Sequence, residues 1–213
     1  SSAVPKNEKQ IDPENRLLWR AHRRRIPAES IRDAVLSVSG QLDLTPDGSP
    51  VEGLGTLVTQ NVADEKQIEQ KATLHRSAYL PIIRSQLPPM LAIFDFADPD
   101  LVVGRRSVTN VPAQALLLLN SPFVMEQAEL AAERVSSTVS TKAPDDRPII
   151  ERTYELVLSR RPSDAEIDRA EKFLEAATRT DDAAADNKSP KVMSPLGQLI
   201  HTLFASVEFR MLE

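Results

Sequence analysis

Residues 147–174 read RPIIERTYELVLSRRPSDAEIDRAEKFL, and their spacing decides the fold class. Ile150, Tyr154, Val157 and Leu158 recur at i, i+4, i+7 and i+8, which is one face of a helix. Arg160-Arg161-Pro162 then makes a tight turn. Ser163-Asp164-Ala165-Glu166 is a capping box, in which hydroxyl and carboxylate each satisfy the other's free backbone N–H. Ile167, Ala170, Leu174 and Ala177 line the helix that follows. Two amphipathic helices across a short turn predict helix-on-helix packing.

Outward from this pair the same signals continue. Ser194-Pro195 opens a terminal helix with Leu196, Leu199, Ile200, Leu203 and Val207 on one stripe, widened by Phe204. Residues 180–193, rich in Ala, Asp, Lys and Ser, are expected to be mobile, and residues 136–146 to be a linker. Ser121-Pro122 ends one helix, Val111 to Leu119 with Thr109 or Asn110 as its cap, and starts another running to about Val135. Pro88-Pro89 opens a short helix through Met90, Leu91 and Phe94 that stops before Asp95. Pro27 opens a helix with Ile31, Ala34, Val35 and Val38 inward and Gly40 as its stop. A first helix is expected from Asp12 as cap and Pro13, with Leu17, Leu18 and Ala21 as its apolar face. Residues 41–63 read as a loop with a short hairpin near Leu57-Val58-Thr59. Ser77 to Ile83 reads as a short edge strand, because Pro81 excludes a central one. The expectation is mainly α: a helical bundle in one domain, with residues 1–110 loop-rich, at most a short β-hairpin, and residues 111–213 helical.

Composition excludes several chemistries. The 213 residues contain no Cys and 3 His, so thiolate metal sites, iron–sulfur ligation, c-type haem attachment and a cysteine nucleophile are ruled out. No apolar run is long enough to span a membrane. The formal net charge is -5, with a pI near 5.4, which argues against a nucleic-acid partner. Residues 1–110 are neutral overall, and the excess negative charge lies in residues 111–213.

Candidate sites follow from the charges. Arg16, Arg20 and Arg23 stand at i, i+4 and i+7 and would share a face of the first helix. With Arg105 and Arg106 they could grip an anion through planar guanidinium forks. The alternative is structural pairing with Glu14, Glu29, Asp33 or the acidic half. Trp19 would stack on a guanidinium. Asp95, Asp98 and Asp100 suggest a sparse calcium loop, but the required Gly and Glu positions hold Asp100 and Arg106. The better reading is that Asp95 closes a helix, Asp98-Pro99 forms a turn, and one of these three carboxylates pairs with Arg105 or Arg106. His75, beside Arg76 and Tyr79, is the least ordinary of the three histidines. No nucleophile elbow and no phosphate-cradling glycine loop is present.

Several strings carry a resemblance: DPENRLLWRAHRRRIPAESIRDAVLSVSGQLD (12–43), RSAYLPIIRSQLPPMLAIFDFADPD (76–100), GRRSVTNVPAQALLLLNSPFVMEQA (104–128), YELVLSRRPSDAEIDRAEKFL (154–174) and LIHTLFASVEFRML (199–212). Together the chain resembles the C-terminal domain of unknown function of large planctomycete proteins that also carry cytochrome-c-like modules. The resemblance implies an exported parent protein, periplasmic or at the cell surface, of which this would be an excised C-terminal piece without its signal peptide. It implies haem in other modules and no cofactor or metal here, since no C-x-x-C-H occurs. The expected role is a non-catalytic interaction or structural domain, its partners being other domains of the parent chain or an exported protein. The rival is binding or processing of anionic polysaccharide through Arg16, Arg20, Arg23, Arg105, Arg106, His75 and Asp95.

Overall fold

In the computed structural model, residues 10–46, 74–80, 82, 87–139, 146–184 and 193–212 are described, with side chains of the long 164–184 helix described to residue 179. Among them seven α-helices follow a two-residue strand: β1 (Arg24–Arg25), α1 (Ala28–Ser39), α2 (Pro89–Ile93), α3 (Pro112–Asn120), α4 (Pro122–Thr138), α5 (Arg147–Leu158), α6 (Asp164–Ala184) and α7 (Pro195–Ala205), then β2 (Met211–Leu212). Single 3₁₀ turns cover Ser77–Tyr79 and Glu208–Arg210. The mainly α expectation holds. The β component is an antiparallel contact between chain-distant segments, Arg24 opposite Leu212 and Arg25 opposite Met211, rather than a local hairpin. The expected hairpin at residues 57–59, like most of residues 180–193, lies outside the described residues.

The terminal helix α7 is the centre of the bundle. It packs most extensively on α4, and also on α3, α5 and α6. Leu199, Ile200, Leu203 and Phe204 are its buried face, while Leu196 is half-buried. Val207 lies past the helix end and is 49% exposed, so the predicted stripe ends one turn early. Facing them, α4 buries Val124, Ala128, Ala131, Ala132 and Val135. The alanines let the helix axes approach closely. Both helices start as the sequence predicts: Ser121 Oγ accepts from Val124 N, and Ser194 Oγ accepts from Gly197 N at 3.1 Å. Helix α4 runs on to Thr138, past the predicted end.

Helix α1 also packs on α4 and carries α2. Its end uses Gly40 at φ 80, a left-handed position glycine occupies without strain, and Gln41 N closes on Leu36 O at 2.9 Å. Arg134 of α4 donates to Ser37 O and Val38 O at 2.8 and 2.9 Å, placing a cation at that C-terminus. The two halves thus meet through α1 on α4, α2 on α3 and β1 on β2, and not through an arginine stripe.

Two expected elements are corrected. No helix follows Asp12. The Asp12 carboxylate accepts from Arg16 N at 2.9 Å and Leu17 N at 2.7 Å, and Trp19 Nε1 donates to Asp12 O at 2.8 Å. Asn15 Oδ1 accepts from Arg20 N and its amide donates to Arg20 O. Asn15 (φ 57) and Leu18 (φ 55) are left-handed, which breaks helical geometry twice. Short Asp and Asn side chains compete with helical hydrogen bonding, and here they win. Arg16, Arg20 and Arg23 therefore share no helix face, and Leu17 and Leu18 are exposed. The second correction is the edge strand: Ser77–Tyr79 forms a 3₁₀ turn. Ser77 is buried by bonds to α1, so that segment folds onto a helix instead of a sheet.

Candidate functional site

The polar groups of the loop-rich half gather around Asp95, just past α2. Asp95 is left-handed (φ 57), which turns its side chain back across the helix end. Its Oδ2 accepts from Arg25 Nη2 at 2.8 Å and from Thr109 N at 2.8 Å, and Thr109 Oγ1 also lies within 3.0 Å of the carboxylate. Arg25 also donates to Phe94 O at 3.0 Å and stacks over the Phe94 ring. Its side chain is only 5% exposed. Strand β1 brings Arg25 here, because pairing with β2 pins this segment beside the chain end.

Behind Asp95 lies a second buried layer. Gln114 of α3 is fully buried; its amide donates to Ile93 O at 3.1 Å and to Thr109 Oγ1 at 3.2 Å, and its Oε1 accepts from Arg210 Nη1 at 3.1 Å. Arg210, 3% exposed, also donates to Ser206 O. Burial first, and the nearby positive charge of Arg25 second, lower its pKa from the ordinary arginine value. The cluster thus ties α2, α3, β1 and the chain end to one point. Chemically, Asp95 is a carboxylate already occupied by three donors, which suits a fastener better than a proton acceptor.

The seven residues named from the sequence are divided. Asp95 is central. Arg106 stands nearby but pairs with Glu29 of α1 at 2.7 Å and stacks on Phe96 at 4.5 Å. Asp95 itself is held by Arg25 and Thr109, and Arg106 takes Glu29. Thr109 is spent on Asp95, so α3 starts at Val111 without a side-chain cap. Arg105 is exposed. Arg16 pairs loosely with Glu14, both largely exposed, and Arg20 stacks on Trp19 at 5.3 Å, as the adjacent aromatic suggests. Arg23 is exposed.

His75 sits elsewhere, over the middle of α1. Its Nδ1 lies 3.5 Å from Asp43 Oδ2, and Asp43 N bonds Leu74 O at 2.9 Å. The buried Arg32 donates to His75 O at 2.9 Å, while Asp33 accepts from Ser77 N at 2.7 Å and pairs with Arg76. Desolvation lowers the Arg32 pKa, against the smaller pull of Asp33. His75 and Asp95 do not meet. His201 is an ordinary core histidine, its Nε2 3.0 Å from Leu118 O. Asp98 and Asp100 form an exposed turn, with Asp100 N on Asp98 Oδ1, as expected for Asp-Pro.

Sequence reasoning passed over Thr109 as ligand, Gln114 and Arg210, and took Arg25 only as one of the arginine-dense run Arg16, Arg20, Arg23, Arg24 and Arg25. One signal was available. Gln114 falls four residues before Leu118 on an otherwise apolar helix, where a polar residue on the inward face needs a partner. Nothing local marked the partners of Arg25 and Arg210, which lie 69 to 96 residues away. A cavity of about 400 Å³ lies between α4, α5, α6 and α7, lined by Glu129, Glu133, Asp146, Ile149, Leu174 and Leu196 among others. None of the seven candidates lines it. Among the described residues no cluster of His, Asp and Glu could hold a metal ion, and no helix is long and apolar enough to cross a membrane.

Residues 1–174 match the family described as PSD1, protein of unknown function (DUF1553). The chain belongs to that family. The PSD1 match takes in Asp95, Thr109, Gln114 and Arg25, while Arg210 and α7 lie beyond it. No curated protein and no solved structure matches the chain.

Proposed function

We propose that this PSD1 domain is a non-catalytic interaction or structural module of an exported, haem-module-carrying planctomycete protein. The observation that carries the reading is the fate of the candidate residues. Asp95 and Arg106 are consumed in internal fastening, His75 is bound to a separate segment, and the rest are dispersed. A catalytic or gripping site needs charged groups converging on an open space with bonding capacity to spare. Here the buried arginines serve backbone carbonyls and neighbouring side chains. The haem belongs, on this reading, to other modules of the parent, and the partners are those modules or another exported protein.

The polysaccharide alternative has Arg16, Arg20, Arg23 and Arg105 at the surface to draw on, none of which lines the cavity between α4, α5, α6 and α7. Titration with alginate and with dextran sulfate at low ionic strength separates the two readings. Salt-sensitive attraction without saturation is expected from loose surface arginines. Saturable binding abolished by Arg105→Ser, or turnover of either polymer, would overturn the module reading.

A further inference from the structure

The polar joint around Asp95 closes on itself. Asp95 accepts from Arg25 Nη2 and from Thr109, Thr109 Oγ1 accepts from Gln114, and Gln114 Oε1 accepts from Arg210. The pairing of β1 with β2 completes the ring, because Met211, opposite Arg25, follows Arg210 directly. Two guanidinium groups therefore share one desolvated place. Arg25 has 5% of its side chain exposed, and Arg210 is 3% exposed. They feel each other, since the charge of Arg25 helps to lower the Arg210 pKa after desolvation has done so.

Donors and charges there are not matched. Arg25 spends Nη2 on both Phe94 O and Asp95 Oδ2, while its Nε and Nη1 are buried with no hydrogen-bond partner. Arg210 reaches Ser206 O and Gln114 Oε1, and among the described residues no carboxylate pairs with it. Asp95 thus faces two cations alone. The other charges at this end do not redress the count. Glu29 pairs with Arg106 at 2.7 Å, which adds no net charge, and Glu208 is held by Arg160. Arg24, Asp98, Asp100 and Arg105 are exposed, where water screens them. Ser206 O stands at the C-terminus of α7, and the partial negative charge there offsets a fraction of the excess. What remains is a positive place with buried N–H groups to spare. Water would bring an acceptor and no charge. An anion brings both, and charge-assisted hydrogen bonds are the stronger kind. Because both spare nitrogens are buried, the occupant that fits is small and monatomic.

We propose that the polar joint binds a halide-sized monovalent anion, chloride in ordinary solution, beside Arg25, with Nε or Nη1 of Arg25 as donor and Arg210 as the second source of positive charge. The anion makes the fastening of β1, α2, α3 and the chain end responsive to chloride. This goes beyond the module reading and does not depend on it.

The probe is chloride itself. The whole chain is exchanged into sodium gluconate, and chloride then replaces gluconate at a constant total of about 200 mM, which holds screening fixed. The melting temperature is expected to rise along a saturation curve, by about 3–6 °C at tenfold the half-saturating concentration. Bromide should act in the same way. The double variant Arg25→Met with Asp95→Asn removes the donor together with its carboxylate, and should melt at one temperature in both salts. A second measurement needs no variant: crystals of the parent chain grown with bromide should show an anomalous peak within hydrogen-bond reach of Arg25 Nε or Nη1. A melting temperature that ignores chloride at constant ionic strength overturns the proposal and leaves water as the acceptor. A chloride response that survives the double variant also overturns it, because the anion would then bind elsewhere. So does a bromide map with no peak at Arg25.

Discussion

Between α4 and α7 the contact is aliphatic and alanine-rich, with Val124, Ala128, Ala131, Ile200 and Phe204 all fully buried. Between β1, α2 and the loop before α3 it is polar: Arg25 on Asp95, Thr109 on Asp95, Gln114 on Ile93 and Arg210. The first region is held by area removed from water, a force without direction that tolerates small shifts. The second is held by directional bonds in a desolvated place, where each lost partner leaves a cost. One chain thus uses two kinds of cohesion, and they should fail differently.

The largest loss is expected in the bundle. Phe204 is fully buried and its ring centroid lies 4.9 Å from that of Phe209, linking α7 to the chain end. Phe204→Ala should cost about 3–5 kcal/mol, read by urea denaturation. A cost near zero would mean that α7 is not the centre of the core. Slightly less is expected at the polar joint. Asp95→Asn leaves Arg25 charged and buried, and should cost about 3 kcal/mol, the low end for breaking a buried pair, because Asp95 keeps 16% exposure. The two regions then part company. No apolar replacement smaller than Phe204 should recover its loss. Adding Arg25→Met to Asp95→Asn should recover much of the second loss, because Arg25 Nε and Nη1 are already buried without hydrogen-bond partners. If the double variant is weaker than Asp95→Asn alone, the polar joint is stabilising in its own right and the contrast with the bundle narrows.

The contrast also explains what could be read from the sequence. The bundle was legible because its information is local: Ile150, Tyr154 and Val157, or Leu199, Ile200 and Leu203, repeat within two turns, and Ser121-Pro122 and Ser194-Pro195 mark helix starts on the spot. The polar joint was not, because its arginine bonds join residues 70 and 96 positions apart. Asp95 could be singled out, but its partner could not be chosen among the chain's arginines. The failed helix after Asp12 belongs to the same class. Asp12 and Pro13 with Leu17, Leu18 and Ala21 satisfy a helix pattern, and the side-chain bonds to Arg16 N, Leu17 N and Arg20 N decide against it. The capping box at α6 sits between the cases. Ser163 N bonds Glu166 Oε2 at 2.8 Å as predicted, but the hydroxyl turns to the same carboxylate, and Glu166 N bonds Ser163 O instead.

A smaller test lies where bundle packing meets a polar group. Gly197 of α7 faces α4, and a Cβ there would collide with Glu129 Oε2 and stand 2.9 Å from Met193 Cγ. Glu129 accepts from Ser194 N and Oγ, both at 3.0 Å, so it helps to fix the start of α7. Alanine for glycine inside a helix ordinarily stabilises by about 1 kcal/mol. Here overpacking and the displaced carboxylate should reverse the sign, for a net loss of about 1–2 kcal/mol in thermal or urea unfolding. A gain would show that Glu129 moves aside freely and that this junction behaves as plain bundle.

The smallest effect is expected from the bundle's own polar fastener, at its solvent edge. Arg160, stacked over Tyr154, binds Glu166 at 2.7 Å and also Glu208, joining the turn between α5 and α6 to the chain end. The bonds to Arg160 first, and those from Ser163 second, hold Glu166 down from 4.5 to about 2, against the opposing effect of burial. Glu208 is lowered as well, for the same leading reason. A carboxylate with a depressed folded pKa contributes stability that is complete above its unfolded value. Stability should therefore be flat above about pH 5, then fall as pH drops from 4.5 toward 2 and the unfolded state takes up protons first. All three side chains keep some contact with water, 19% for Glu166 and 39% for Glu208, so solvent screening keeps the loss well below that at Asp95. Urea midpoints measured between pH 7 and pH 2.5 should show it, and Glu166→Gln should flatten part of the slope. An unchanged slope in that variant would assign the acid sensitivity elsewhere, with Glu208, lowered by the same arginine, as the next carboxylate to test.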